Sequence, residues 1–236
     1  MMKLKHILLI NPTITSRRSA RFPLAVLNLS AALDGRYGSS IIDGNIDRDF
    51  VSTTLRTLEG GGVDAVGLSV MGGPQLRSAI AVSEAVRARF PQIPIIWGGH
   101  FPSICAESAL NMPYVDFAIR AQGEDTLMEL LDVLFGVRDA RLESIAGLSW
   151  RSDGRVVHNP DRAFSTAGLG RSLPYDRLTN PHAYLGRTFL GNRTTGFQAA
   201  LGCRFRCTFC GVASMFRGKT ALPPAARLER ELRRYD

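Results

Sequence analysis

Apolar positions along the first 140 residues alternate between two periods. Short, mostly apolar runs stand at His6–Asn11, Ser40–Asp43, Ala65–Val70, Ile93–Trp97 and Val115–Arg120. Between and after them, apolar residues recur at helical spacing over 23–37, 48–60, 75–90, 103–111 and 125–136. The clearest stretch is 75–90, where Ile80, Val82, Ala85, Val86 and Phe90 interleave with Arg77, Glu84, Arg87 and Arg89. Residues 125–136 set Leu127, Leu130, Leu131 and Leu134 on one face. Runs without polar alternation read as strands buried on both faces, each followed by a helix.

Five β-α units in succession predict an α/β fold, a flavodoxin-like doubly wound parallel sheet with strand order 2-1-3-4-5. Such sheets take ligands outside the carboxyl ends of their strands. Glycine-rich turns fall at that edge: Gly72-Gly73, Gly98-Gly99 and Gly123. Glycine there lets a ligand approach the backbone, although tight turns alone would also explain it. No Gly-x-Gly-x-x-Gly follows the first strand, which disfavours a nicotinamide dinucleotide.

After residue 140 the pattern changes. Residues 147–158 read as a β-hairpin closed by Asp153-Gly154, and Asn159-Pro160, Leu173-Pro174 and Asn180-Pro181 punctuate a loop-rich stretch. A strand over 194–201 and a charged helix over 223–235, with Leu228 and Leu232 on one side, follow. The organisation expected is a sheet domain over 1–140, a linker with a small hairpin over 141–193, and the start of a second domain over 194–236.

The length of 236 residues suits one to two domains, and 45% apolar with 21% charged residues excludes a disordered or collagen-like chain. No apolar run approaches the ~20 residues of a membrane span. The start is basic but has only a short apolar run before Asn11-Pro12, unlike a signal peptide, so a cytoplasmic, soluble protein is expected. Charge is uneven. Residues 1–140 carry 13 basic and 14 acidic side chains, net −1, while 141–236 carry 16 and 7, net +9. A negatively charged partner, such as nucleic acid or a phosphorylated substrate, is one reading; a missing acidic complement is the plainer one, and nucleic acid is not favoured.

Three of the four cysteines fall in Cys203-Arg-Phe-Arg-Cys207-Thr-Phe-Cys210. Cys105 stands apart among apolar residues and reads as a small buried hydrophobe. The C-x3-C-x2-C spacing lets three thiolates converge on one inorganic centre. A four-iron cluster ligated by three cysteines keeps one iron open. Zinc competes, but a structural zinc site wants four ligands; no second cysteine pair exists, and the nearest histidine is His182.

The stretch Ala199 to Cys210 resembles the signature loop of radical S-adenosylmethionine (SAM) enzymes. The resemblance implies that Cys203, Cys207 and Cys210 ligate a [4Fe-4S] cluster, with Phe209 near the adenine of SAM. It implies SAM chelated at the open iron, and one-electron reduction giving a 5′-deoxyadenosyl radical or supporting methyl transfer. The first 140 residues resemble the cobalamin-binding domain that precedes the radical SAM barrel in the B12-dependent subgroup. The matching pieces are Asn11-Pro12, Phe22-Pro23-Leu24, Gly67 to Gly72 with Ser69 and Met71, Trp97-Gly98-Gly99-His100-Phe101-Pro102, and Gly123-Glu124-Asp125-Thr126-Leu127. Asn11, Pro12, Ser69, Met71, Gly72, Gly98, Gly99, His100, Gly123 and Glu124 are the implied cofactor contacts. Two features depart from the pattern. No Asp-x-His-x-x-Gly marks an axial cobalt ligand, and Ala121-Gln122-Gly123-Glu124 replaces the more usual Gly-Glu-Gly-Glu.

A full eight-unit barrel takes ~250 residues, so the last 46 or so encode only the first β-α unit of a radical SAM partial barrel. The expectation is the N-terminal part of a larger enzyme, inactive alone, with residues 190–236 loosely packed and the cysteine loop exposed. The leading reading is a cobalamin-dependent radical SAM methyltransferase. It would act on a small-molecule or natural-product substrate and take electrons from a donor such as flavodoxin or ferredoxin. The alternatives are a radical cyclase or oxidative enzyme related to the anaerobic magnesium-porphyrin ester cyclase, and a non-catalytic cobalamin-binding module.

Overall fold

The computed structural model describes residues 4–189 and 191–234. The basic start Met1–Lys3, the boundary residue Leu190 and the last two residues lie outside them. Five β-α units come first: β1 (His6–Asn11), α1 (Leu24–Leu33), β2 (Gly38–Asp43), α2 (Phe50–Glu59), β3 (Ala65–Ser69), α3 (Pro74–Arg89), β4 (Ile95–Gly98), α4 (His100–Ile104), α5 (Ala106–Leu110), β5 (Phe117–Ile119) and α6 (Glu124–Leu134). The hairpin strands are β6 (Leu148–Ser152) and β7 (Arg155–His158). Seven strands make one sheet in the order β2-β1-β3-β4-β5-β6-β7, the first five parallel.

The expected order 2-1-3-4-5 forms because the central strands are apolar on both faces. Ile7, Leu8, Leu9 and Ile10 are all fully buried. Successive side chains point to opposite faces. Ile7 and Leu9 therefore join Val26 and Leu27 of α1 and Leu127, Leu130 and Leu131 of α6. Leu8 and Ile10 join Leu58 of α2 and Ala79, Val82 and Val86 of α3. Burying each such side chain contributes roughly 1.5–3 kcal/mol, which is why β1 anchors both layers. Local chemistry fixes the helix starts. Gly73, at φ 77°, turns the chain into α3, whose first residue is Pro74. Glu124 and Asp125 put negative charge at the amino end of α6.

The hairpin continues the sheet. β6 runs antiparallel to β5, pairing Phe117 with Trp150, and Asp153 and Gly154 take positive φ of 48° and 76° at the turn. Arg120, just after β5, holds it there through hydrogen bonds to the Leu148 and Asn159 carbonyls and to Ser149.

Three expectations are corrected. The helix over 103–111 is two helices, broken at Cys105, whose backbone (φ −125°, ψ 49°) leaves the helical region. The strand over 194–201 does not form, and residues 195–200 are irregular. Instead β8 (Gly186–Thr188) pairs with β9 (Gly191–Thr194), and β10 (Leu201–Gly202) pairs only with β11 (Thr220–Ala221). Extended backbone becomes a strand only beside another strand, and among the described residues no strand pairs with 195–200. The helix over 223–235 is α8 (Ala225–Arg233), with its expected end at 235 outside the described residues. Its inward face carries Arg227 and Glu231, while Leu232 is exposed. Loop carbonyls select that face: Arg227 donates to Leu169 at 2.8 Å, and Arg234 to Leu173 at 2.8 Å.

The segment beyond 190 is docked rather than loose. α7 (Gly211–Phe216) packs on α4, and Arg217 pairs with Asp161. Among the described residues no helix is long and apolar enough to cross a membrane.

Candidate functional site

A cavity of about 230 Å³ opens at the carboxyl edge of the sheet. Its floor is apolar, formed by Leu9, Gly67, Ile96 and Ile119 from four neighbouring strands, with Leu24 and Leu29 of α1 on one side. Ser69, Gly98, Gly99, Gly123 and Glu124 line it. Gln198, Leu201, Met215 and Phe216 close it from the side of the cysteine segment. Asn28 of α1 donates to Gln198 at 3.2 Å, tying the closing segment to the first β-α unit.

The glycines differ in why they are glycine. At Gly99, φ is 93° and a Cβ would meet the Val70 backbone at 3.0–3.1 Å, so the fold itself requires it. At Gly98 a Cβ would find only ordinary contacts of 3.8–3.9 Å, so its bare backbone leaves room in the cavity that packing does not demand. At Gly123 a Cβ would meet Leu29 and Ile119 at 3.4–3.5 Å, an ordinary contact that the packing would accept. Gly72 has open space around it and Met71 is half exposed; neither lines the cavity.

Asn11 and Pro12 do not line the cavity; they stand at the end of β1 in a polar net. Buried Gln75 of α3 donates to the Pro12 carbonyl at 2.7 Å and to Asn11 at 3.2 Å, and accepts from the Met71 N–H at 2.7 Å. Asn11 in turn donates to Asp43 at 2.8 Å, and Asp43 accepts the Tyr184 hydroxyl at 2.8 Å. The net fixes the loops after β1, β2 and β3 relative to one another. Gln75 carries no local sequence signal, since an amide in the first turn of a helix looks like any surface residue.

The departure at 121–122 has a structural reason. Ala121 holds φ 59°, a left-handed position where glycine is easier, and its N–H donates to Ser103 at 2.8 Å. Gln122 donates to the Ser165 carbonyl at 2.8 Å and accepts the Ser165 N–H at 2.8 Å. An amide offers both a donor and an acceptor to the backbone in this way, which an ionised carboxylate cannot. Gln122 thereby clasps the loop after the hairpin across the cavity edge. Burial pushes the Glu124 carboxyl up from the ordinary range, with Asp125 adding to it, while Arg171 and backbone N–H groups oppose.

Cys203, Cys207 and Cys210 are free thiols on one loop. Cys207 is exposed, and Phe209 is 91% exposed. Among the described residues no group of three or more His, Cys, Asp or Glu side chains is gathered to hold a metal ion. The loop is closed at its base by the β10–β11 pairing. Gly202, at φ 79°, has the Lys219 carbonyl 2.3 Å from where a Cβ would stand, so no side chain fits. His100 lies outside the cavity lining, against α7, and a Cβ on Gly211 would meet its Nε2 at 1.8 Å. Gly211 directly follows Cys210, so this contact joins α4 to the cysteine loop.

The B12 binding domain family matches residues 11–131. The chain belongs to the B12-binding family. Within this family setting, the chain is 25% identical over 222 residues, 91% of its length, to an uncharacterized methyltransferase of Pyrococcus horikoshii, and covers 47% of that relative. It is 26% identical over 133 residues, 53% of its length, to the anaerobic magnesium-protoporphyrin IX monomethyl ester cyclase of Synechocystis, covering 24% of it. The chain thus spans about half the length of one relative and a quarter of the other. Its fold is that of two solved proteins. With the cobalamin-dependent SAM radical enzyme OxsB bearing aqua-cobalamin, the TM-score is 0.81 at 20% identity, over 98% of this chain and 31% of that one. With the radical SAM methyltransferase TsrM from Kitasatospora setae, bearing cobalamin and a [4Fe-4S] cluster, it is 0.72 at 18% identity, over 98% and 45%.

Proposed function

We propose that this chain is the corrinoid-binding and cluster-bearing part of a cobalamin-dependent radical SAM enzyme that methylates a small-molecule or natural-product substrate. A donor such as flavodoxin or ferredoxin would supply its electrons. One observation carries the reading: the apolar cavity at the carboxyl edge of a B12-binding sheet is closed by the segment that bears the three cysteines. The methyltransferase of Pyrococcus horikoshii, similar over nearly the whole chain, supports methyl transfer. Similarity to the cyclase supports a second reading, radical ring formation on the same scaffold.

The residues present fit these groups. Gly98 offers space that a Cβ would fill, and Asn28, Ser69, Gln122, Glu124 and Gln198 add polar atoms to a mostly apolar lining. Three thiols on one short loop are the donor chemistry of an iron–sulfur cluster. When bound, the cluster with SAM supplies one-electron chemistry and the corrinoid supplies methyl carriage. The chain's own work is to hold and enclose. Gly98 and Gly99 bring backbone to the ligand, Gln122 clasps the cavity edge, and Met215 and Phe216 shield it from water.

The test is anaerobic reconstitution with iron and sulfide, together with a cobalamin titration. About four irons per chain are expected, falling sharply when Cys203, Cys207 or Cys210 is changed to Ala. Gly98→Val should weaken cobalamin binding while the fold survives. Stoichiometric zinc without inorganic sulfide would remove the cluster, and equal cobalamin affinity in both proteins would remove this cavity as the corrinoid site.

A further inference from the structure

A second cavity, of about 240 Å³, adjoins the first, sharing Ala121, Gln122, Met215 and Phe216 with it. Its wall carries Arg120, Arg162, Arg217 and Lys219 against one acid, Asp161. Asp161 is shared: Arg120 reaches it at 3.0 Å, and Arg217 also pairs with it. Two guanidiniums on one carboxylate leave an uncompensated positive charge. Arg162 is paired outside the cavity, to Glu129 at 2.7 Å. The Lys219 ammonium makes no hydrogen bond or ion pair among the described residues.

We infer that this chamber binds a phosphate-ester group, with Lys219 and Arg217 as its donors. Arg120 is committed to the Leu148 and Asn159 carbonyls, Ser149 and Asp161, so it contributes fixed charge rather than a free donor. Arg217 bonds Asp161 through one nitrogen and keeps further N–H groups for a ligand. Ser214 adds a hydroxyl, whereas the Ser103 hydroxyl is already given to the Gly99 carbonyl and accepts the Ala121 N–H; the Phe164–Phe216 edge contact gives the attached organic part an apolar wall. Three of these four cations come from residues 141–236, the part of the chain that is net +9. The charge is gathered around one pocket, open to solvent on the side of Arg217 and Lys219, rather than along a stripe, which suits one phosphate group better than a nucleic-acid backbone.

Such a phosphate could belong to the nucleotide tail of cobalamin or to a phosphorylated substrate. The inference does not require the corrinoid reading, and the experiment separates the two. Inorganic phosphate is titrated into the purified chain at low ionic strength and followed by phosphorus NMR. Saturable binding is expected, weakened about tenfold or more by Lys219→Gln, because a charge-assisted hydrogen bond is lost. Arg217→Asn should act in the same direction. Asn tolerates the left-handed backbone at this position, φ 51°, so the end of α7 is kept. If that variant fails to fold, Lys219→Gln decides alone, since the ammonium holds nothing in place.

No saturable binding, or binding that Lys219→Gln leaves unchanged, overturns the site, even if cobalamin binds normally. Phosphate binding in a chain that takes up no corrinoid sustains the chamber and overturns the corrinoid reading. Where both bind, displacement of phosphate by cobalamin but not by cobinamide, which lacks the nucleotide, assigns the tail. Phosphate retained by the cobalamin-loaded chain assigns a phosphorylated substrate.

Discussion

Gln122→Glu exchanges one amide NH₂ for an oxygen and isolates the clasp on Ser165. In the wild type, the two hydrogen bonds to Ser165 are both 2.8 Å long and use opposite halves of the amide. An ionised carboxylate keeps the bond from the Ser165 N–H but turns a second acceptor toward the Ser165 carbonyl. The loss is one hydrogen bond, about 1 kcal/mol, plus a poorly solvated carbonyl left without a donor, about 1–3 kcal/mol. Taking about 2 kcal/mol, the melting temperature of a chain this size should fall by roughly 4–8 °C if it unfolds as one unit. Protonating the introduced carboxylate restores the donor, so its folded pKa must lie above its unfolded one. The bond is then fully present below the ordinary Glu value of about 4.3 and is lost as pH rises through the folded value. Melts of both proteins should differ little at pH about 4 and clearly at pH about 8, and exchange of the Ser165 amide hydrogen should show the same trend. A deficit equal at the two pH values, or none at pH about 8, would refute the clasp.

Two further outcomes follow from the packing. Gly211→Ala should destabilise by no more than about 1 kcal/mol, because its Cβ would meet only the ring end of His100, which can turn aside, and adding His100→Ala should restore most of that in a thermal melt. A double variant as unstable as the single one would show that His100 is not the obstacle. Tyr37 donates to Asp132 at 2.7 Å and Tyr184 to Asp43 at 2.8 Å. Burial first, then the carboxylates, push both phenols up, Tyr37 to about 12. The unfolded phenol ionises near pH 10, so the stability they confer is complete below about pH 10 and lost as pH rises through the folded values. Tyr37→Phe and Tyr184→Phe should therefore flatten the alkaline fall in stability, measured by denaturant unfolding between about pH 9 and 11; curves parallel to the wild type would contradict this.

The five parallel strands and their order were legible in the sequence. A strand buried on both faces, such as Ile7–Ile10, is written in consecutive residues, and so is the four-residue recurrence of a helix like α3. The glycine turns could be placed at the carboxyl edge of the sheet, and the C-x3-C-x2-C run could be read as one loop carrying three thiols, because each is local. The amide at Gln122, where a carboxylate is more usual, was visible as a departure, but its meaning depended on Ser165, 43 residues away. Tertiary structure alone decided the rest. It set Gln75 across three loops, laid the hairpin on β5, gave α8 a polar inner face, and left 195–200 without a strand partner. It also joined the cysteine segment to the cavity through Gln198, Met215 and Phe216. These features are pairings between distant parts of the chain. A hydrogen bond such as Tyr184 to Asp43 spans 141 residues, and periodicity over a few turns cannot encode which distant group will meet it.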